Sequence, residues 1–286
     1  MRQIVIISGK GGTGKTVLTA SFAVLAKNKI MVDCDVDAAD LHLLLHPKIL
    51  EKHDFSGGKT AAVNEDKCVQ CDTCIQVCRF DAIRKNRKAV IIEPISCEGC
   101  GLCSNVCSVS AIHMEENKSG EWFISDTEYG PFVHAKLGIA EENSGKLVAK
   151  IRQEAKNIAQ NKRLDYIIID GPPGIGCPVI ASLGGVDIAL IVTEPTLSGM
   201  HDAERVMGVA GHFNIPTKLV INKYDLNTSM TERIEVFCRD KGVPVIGKIG
   251  FDKAVVESIV MGKTIVEHCN GSVKDEIINI WEAIKS

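Results

Sequence analysis

Two groups of side chains in this sequence are spaced for chemistry. The run GKGGTGKT, Gly9 to Thr16, satisfies G-x-x-x-x-G-K-S/T and lies between a strand-like apolar run and a helical pattern, where a phosphate-binding loop belongs. Gly9, Gly11, Gly12 and Gly14, with Thr13 among them, allow backbone N–H groups to close around phosphate. Lys15 meets the β and γ oxygens, and the Thr16 hydroxyl binds Mg2+. The second group is C-x2-C-x2-C-x3-C written twice, as Cys68, Cys71, Cys74, Cys78 and Cys97, Cys100, Cys103, Cys107. Thiolates at this spacing suit 4Fe-4S clusters, each held by three cysteines of one run and the fourth of the other. This predicts one cluster on Cys68, Cys71, Cys74 and Cys107 and a second on Cys97, Cys100, Cys103 and Cys78. Zinc also accepts four thiolates, but normally from two C-x2-C pairs set well apart.

The elements that must carry these groups show in the hydrophobic pattern. Short apolar runs end at Ser8, Asp33, Asp170, Thr193 and Asn222. Helical patterns fall at Lys15 to Asn28, Lys146 to Gln160, Met200 to Phe213, Thr231 to Asp240 and Lys253 to Met261. Apolar strands alternating with helices predict an α/β fold, a mostly parallel sheet with helices on both faces. The C-terminal KDEIINIWEAIKS reads as a helix docked on the core through Ile277, Ile278, Trp281 and Ile284.

Between about Gly57 and Gly120 this rhythm breaks. Cys68 through Ile83 recur as Cys97 through Ile112, shifted by 29 residues. The expected organisation is an α/β host at 1–57 and 120–286, with a small duplicated α+β module inserted at 58–119. Gly57-Gly58 and Asn117 to Gly120 are the expected joints. Arg79, Arg84, Lys85, Arg87 and Lys88 lie between the cysteine runs, where they read equally as a solvated loop or as charges that neutralise anionic clusters or dock an acidic redox partner.

The second lysine inside the loop, Lys10, makes KGGTGKT resemble the deviant Walker A motif of the MinD, ParA, Mrp and nitrogenase iron protein superfamily of P-loop ATPases. The resemblance implies a homodimer in which Lys10 reaches the partner's nucleotide. It extends to DCDVDAAD, where Asp35 matches the residue that orients or deprotonates the attacking water. It also extends to IIIDGPPGIG, where Asp170 matches the carboxylate of the magnesium shell. A carboxylate ending a parallel strand lies in the ligand crevice independently of any family. NKYD at Asn222 to Asp225 looks like a guanine-reading motif, whereas the superfamily reads adenine with an asparagine at this place. ATP with Asn222 as reader is the expectation, and GTP the alternative. The cysteine runs resemble those of bacterial ferredoxins, with Arg79 and Ser108 in place of the proline that usually follows the fourth cysteine.

Composition narrows the function classes. The net charge of −3 gives no general drive toward nucleic acid or anionic membrane. MRQIVIISGK has no secretory pattern, and no apolar run approaches the ~20 residues of a membrane span, so a cytoplasmic protein is expected. The twelve cysteines then read as metal ligands or thiols rather than a disulfide framework. Cys34 and Cys238 read as packing residues, and Cys269 has no evident partner. Cys177 sits where the iron protein carries a cluster ligand, but the companion ligand has no match, so a buried small residue is the expectation there. The function expected is an ATP-hydrolysing iron–sulfur protein, a nucleotide-dependent homodimer coupling ATP turnover to electron transfer or metallocluster assembly, with a redox partner or metalloprotein client. The alternatives are a MinD/ParA-like spatial organiser and a GTPase.

Overall fold

The computed structural model describes residues 1–138 and 144–285. The chain forms two compact units. The first comprises Met1–His53, Trp122–Lys136 and Ser144–Ser286; the second comprises Asp54–Glu121 with a short segment from Leu137.

The strands in chain order are β1 (Arg2–Ser8), β2 (Lys29–Asp33), β3 (Lys48–Val63), β4 (Ile83–Lys85), β5 (Val90–Ile92), β6 (Ile112–Thr127), β7 (Gly130–Leu137), β8 (Tyr166–Pro173), β9 (Ile188–Thr193), β10 (Thr217–Asn222) and β11 (Val245–Ile249). Nine of them form a sheet in the order β11-β10-β9-β1-β8-β2-β7-β6-β3. From β11 to β7 the pairing is parallel throughout. β1, β2 and β9 are buried along nearly their whole length, as parallel strands covered on both faces must be. β1 leads to β2 on one side of the sheet and β8 leads to β9 on the other, so the connections part at the carboxyl end of β1. Ligands bind at such a switch point.

The helix Lys15–Leu25 buries Leu18, Phe22 and Ala23. The C-terminal helix Ser272–Lys285 buries Val273, Ile277, Ile280, Trp281 and Ile284, with Trp281 5.2 Å from the Phe22 ring. Ile280, not the expected Ile278, completes the buried stripe, because the spacing from Val273 through Ile277 to Ile284 places Ile280 on the same face. Six strands were not foreseen: β3, β4, β5, β6, β7 and β11. The joints expected at Gly57-Gly58 and Asn117 to Gly120 lie inside β3 and β6. Strand pairing accounts for the order there, and Gly57 N–H donates to Ser119 Oγ at 3.0 Å.

In the second unit the 29-residue repeat is carried by the backbone. Its short helices begin at Thr73 and Leu102. Left-handed residues recur as Gln70 with Gly99, Asp72 with Gly101 and Asp81 with Ser110. The small core pairs in the same way: Ala61 with Val90, Cys74 with Cys103 and Ile83 with Ile112. Gly99 is forced to be glycine by its surroundings, since a Cβ there would run into the Lys59 carbonyl oxygen.

Candidate functional site: a phosphate-loop cleft and two cysteine clefts

The carboxyl ends of β1, β2 and β8 bring the predicted phosphate-site residues together. Lys15 is 6% exposed, and its Nζ lies 3.1 Å from Asp170 Oδ1 and 3.6 Å from Asp35 Oδ2. Thr16 Oγ1 donates to Asp170 Oδ2 at 2.8 Å. Asp33 accepts from the backbone of Asp35 at 3.0 Å and of Leu41 at 3.2 Å, fixing the loop that carries Asp35. Of these, Lys15, Thr16 and Asp35 border a cleft of about 510 Å3 that is also lined by Gly11 to Gly14, Asp37, Pro172 and Ile259.

Burial works against the Lys15 ammonium, but Asp170, Asp35 and Asp33 outweigh it and hold its pKa above the ordinary value. Burial pushes the Asp35 carboxyl up to about 6; Lys15 opposes this, while Asp170 and Asp37 add to it. Asp33, wholly buried and facing Asp170, is raised well above the usual carboxylate range, burial being the largest cause.

Local geometry explains the loop sequence at two positions. A side chain at Gly9 would collide with Asp202, and one at Gly14, whose φ is +87°, would collide with the Asn222 amide. Asn222 Nδ2 donates to the Thr13 carbonyl at 2.8 Å, and its Oδ1 accepts from Lys223 N at 3.0 Å. The residue expected to read the base is thus bonded to the phosphate loop and to its own strand end. Asp225 Oδ1 accepts from Phe251 N–H at 2.8 Å. Lys10, the additional loop lysine, lies 3.4 Å from Glu194 Oε2.

Two participants escaped the sequence reading. Thr19 Oγ1 lies 2.9 Å from Asp170 Oδ1, one turn beyond the motif, where no pattern marks it. Glu194 follows β9 directly; the strand-end rule applied to Asp170 points to it equally well.

An anion and a divalent cation both suit these residues. Thr13 Oγ1 is buried without a hydrogen-bond partner, which is costly unless a ligand supplies one. Lys15 supplies positive charge beside it, and Thr16 Oγ1 with Asp170 offers the hard oxygen ligands that Mg2+ takes.

Residues 4–265 match the family of the CobQ/CobB/MinD/ParA nucleotide binding domain. The chain belongs to this family. An uncharacterized protein of Methanocaldococcus jannaschii is 34% identical over 287 residues, covering 99% of this chain and 96% of its own. The septum site-determining protein MinD of Bacillus subtilis is 25% identical over 271 residues, 92% of this chain and 81% of its own. Among solved structures, MinD of Pyrococcus horikoshii complexed with Mg-ADP superposes with a TM-score of 0.62 at 19% identity, covering 100% of this chain and 96% of that one. The MinC:MinD complex of Aquifex aeolicus gives 0.59 at 21% identity, with coverage of 100% and 96%. The MinD/ParA fold and a general ATPase character follow from membership.

The second unit gathers the eight cysteines four and four. One narrow cleft, of about 20 Å3, is lined by Cys68, Cys71, Cys74 and Cys107, and another of about 20 Å3 by Cys78, Cys97, Cys100 and Cys103. Ala111 N–H donates to Cys107 Sγ at 3.2 Å and Ala61 N–H to Cys97 Sγ at 3.4 Å. The Ala111 bond lowers the Cys107 pKa and the Thr73 hydroxyl lowers that of Cys71, whereas burial raises those of Cys74 and Cys103. Among the described residues, no group of three or more His, Cys, Asp or Glu side chains is arranged to hold a metal ion. No described helix is long and apolar enough to cross a membrane. Cys34 and Cys238 are buried and Cys269 is half-buried, whereas Cys177, expected to be a buried small residue, is exposed because it opens the helix Cys177–Leu183 at its first turn.

Proposed function

We propose that this chain is a Mg2+-dependent ATPase that works as a MinD-like switch, pairing with a second copy of itself in the ATP state and releasing it on hydrolysis. The observation that carries this reading is Lys15 held between Asp170 and Asp35, with Thr16 on the same carboxylate. In it, the loop N–H groups and Lys15 bind the β and γ phosphates, Thr16 and Asp170 hold the cation, and Asp35 takes the proton of the attacking water. Lys10 reaches the partner's nucleotide. Similarity to MinD over most of the chain favours a switch that controls assembly with a partner protein. ATP is favoured over GTP because one oxygen of Asp225, the guanine reader of an NKxD motif, is bonded to Phe251.

The test is hydrolysis and self-association of the purified chain with Mg-ATP and Mg-GTP, alongside Lys15→Ala. Hydrolysis of GTP in preference to ATP, or a Lys15→Ala variant with full activity, would exclude this reading.

The cysteine clefts favour a second, compatible reading, in which the partner process is redox or metallocluster chemistry. Each cleft gathers the three thiols of one run with the fourth of the other, and backbone N–H groups directed at sulfur suit thiolate ligands. The four cysteines of each cleft would hold one 4Fe-4S cluster, supplying one-electron chemistry. This unit would then be a ferredoxin-like domain, with a redox partner or metalloprotein client.

A further inference from the structure

The phosphate loop and the loop after β10 are tied together at two points. One is the Asn222 amide on the Thr13 carbonyl. The other is Glu194, whose Oε1 lies 2.6 Å from Lys223 Nζ and whose Oε2 lies 3.4 Å from Lys10 Nζ. Glu194 sits directly beyond β9, 15% exposed, and Lys10 is itself only 34% exposed. The arrangement is therefore screened less than a surface ion pair.

We infer that Glu194 is a positioning residue for Lys10: it holds the lysine against its own chain, in competition with nucleotide phosphate, and Lys223 sets the strength of that hold by sharing the carboxylate. This rests on the reading of Lys10 as the lysine that serves ATP-driven pairing. An ammonium paired with Glu194 is not free to meet a phosphate, and a ligand shifts an equilibrium only by its differential affinity for the two states. Burial opposes the charge of Glu194, but Lys223 and Lys10 hold its carboxyl below the usual range, so it is anionic at neutral pH. Lys223 is the nearer of the two lysines, and without it the whole carboxylate charge falls on Lys10. Two substitutions on one network should therefore act with opposite signs. A residue needed only for stability would not produce that pattern.

The experiment uses the full chain with Mg-ATP and reads two things. The first is the protein concentration for half-maximal ATP-driven self-association; the second is the acylation rate of the Lys10 amine by an N-hydroxysuccinimide ester without nucleotide, followed by mass spectrometry. Glu194→Gln should lower the half-maximal concentration roughly three- to tenfold, the size of a modest ion-pair coupling, and speed Lys10 acylation. Lys223→Met should raise the concentration and slow the acylation. Glu194→Gln with unchanged or weaker self-association, or with unchanged Lys10 acylation, overturns the inference. If Glu194→Gln does not fold, Lys223→Met decides alone: no change, or a shift toward easier association, overturns it. A Lys10→Ala chain that associates like the wild type shows that the reading of Lys10 has failed. Impaired Lys10→Ala beside an inert Glu194→Gln shows that only the role of Glu194 has failed.

Discussion

Asp33, the last residue of β2, pairs in register with Asp170 of β8, both almost fully buried, and Lys15 enters the same space from the phosphate loop. Two buried carboxylates on adjacent strands repel in a medium of low dielectric, and a third, Asp35, stands nearby. A single lysine does not neutralise three acids, so the site favours additional positive charge, as a divalent cation would bring. Asp170, the acid that would hold Mg2+ with Thr16, thus sits among buried charges whose balance depends on what enters the site.

Asp35→Asn keeps the shape of the side chain and removes its capacity to take a proton. Hydrolysis should fall by about 100-fold or more, within the usual range for losing a general base, while ATP binding persists. The variant should accumulate as an ATP-bound dimer, visible by size-exclusion chromatography with Mg-ATP. Hydrolysis near the wild-type rate would remove Asp35 from the mechanism.

The raised Asp35 pKa has a sign that thermal unfolding of the nucleotide-free protein can read. An acid whose folded pKa is about 6, above its unfolded value of ~3.9, is favoured in the protonated form on folding. That contribution is fully present below pH ~4 and is lost as pH rises through about 6. Asp35→Asn should therefore stabilise the protein at pH 8, by up to roughly 2 kcal/mol, and give little advantage at pH 4. A variant less stable than the wild type at pH 8 would show that the Lys15–Asp35 pair outweighs the burial cost.

Asn222→Ala should weaken nucleotide binding through the loop rather than through the base alone. It removes the bond to the Thr13 carbonyl, worth about 1 kcal/mol, and leaves a gap beside Gly14. Gly14→Ala should do more harm, because the position is left-handed and already filled by the Asn222 amide. If Asn222→Ala weakens binding of ATP but leaves that of tripolyphosphate unchanged, Asn222 acts on the base and not on the loop.

The parts legible in the sequence were those whose spacing is itself the chemistry. Gly9 to Thr16 needed no tertiary information, because the loop is contiguous and its glycines answer to backbone geometry. Asp170 was legible because a charge ending an apolar strand has few other places to go. Glu194 obeys the same rule, but no motif drew attention to it. The contacts of Lys10 and Asn222 were not legible, since each depends on a loop far away in sequence. β3 and β6 were missed because glycine and asparagine in their middles read as breaks, whereas pairing between strands overrides local propensity. The 29-residue repeat was visible as cysteine spacing, but its extension to left-handed residues and core pairs required the backbone.

The same repeat yields a prediction for metal content. Anaerobically purified protein should carry about eight irons per chain, as two 4Fe-4S clusters demand, and the repeat predicts how that number falls. Cys107 lies at the cleft of Cys68, Cys71 and Cys74, and Cys78 at that of Cys97, Cys100 and Cys103. Cys107→Ser should therefore deplete the first cluster and spare the second, although Cys107 belongs by sequence to the second run. Cys78→Ser should do the reverse. Paramagnetic resonance of the reduced variants, compared with Cys71→Ser and Cys100→Ser, assigns each signal. If Cys107→Ser removes the same signal as Cys100→Ser, the ligands are not crossed between the runs and the clefts do not mark the clusters. Iron near zero under anaerobic purification, with zinc bound in its place, would remove the redox reading and leave the nucleotide switch standing on the first unit alone.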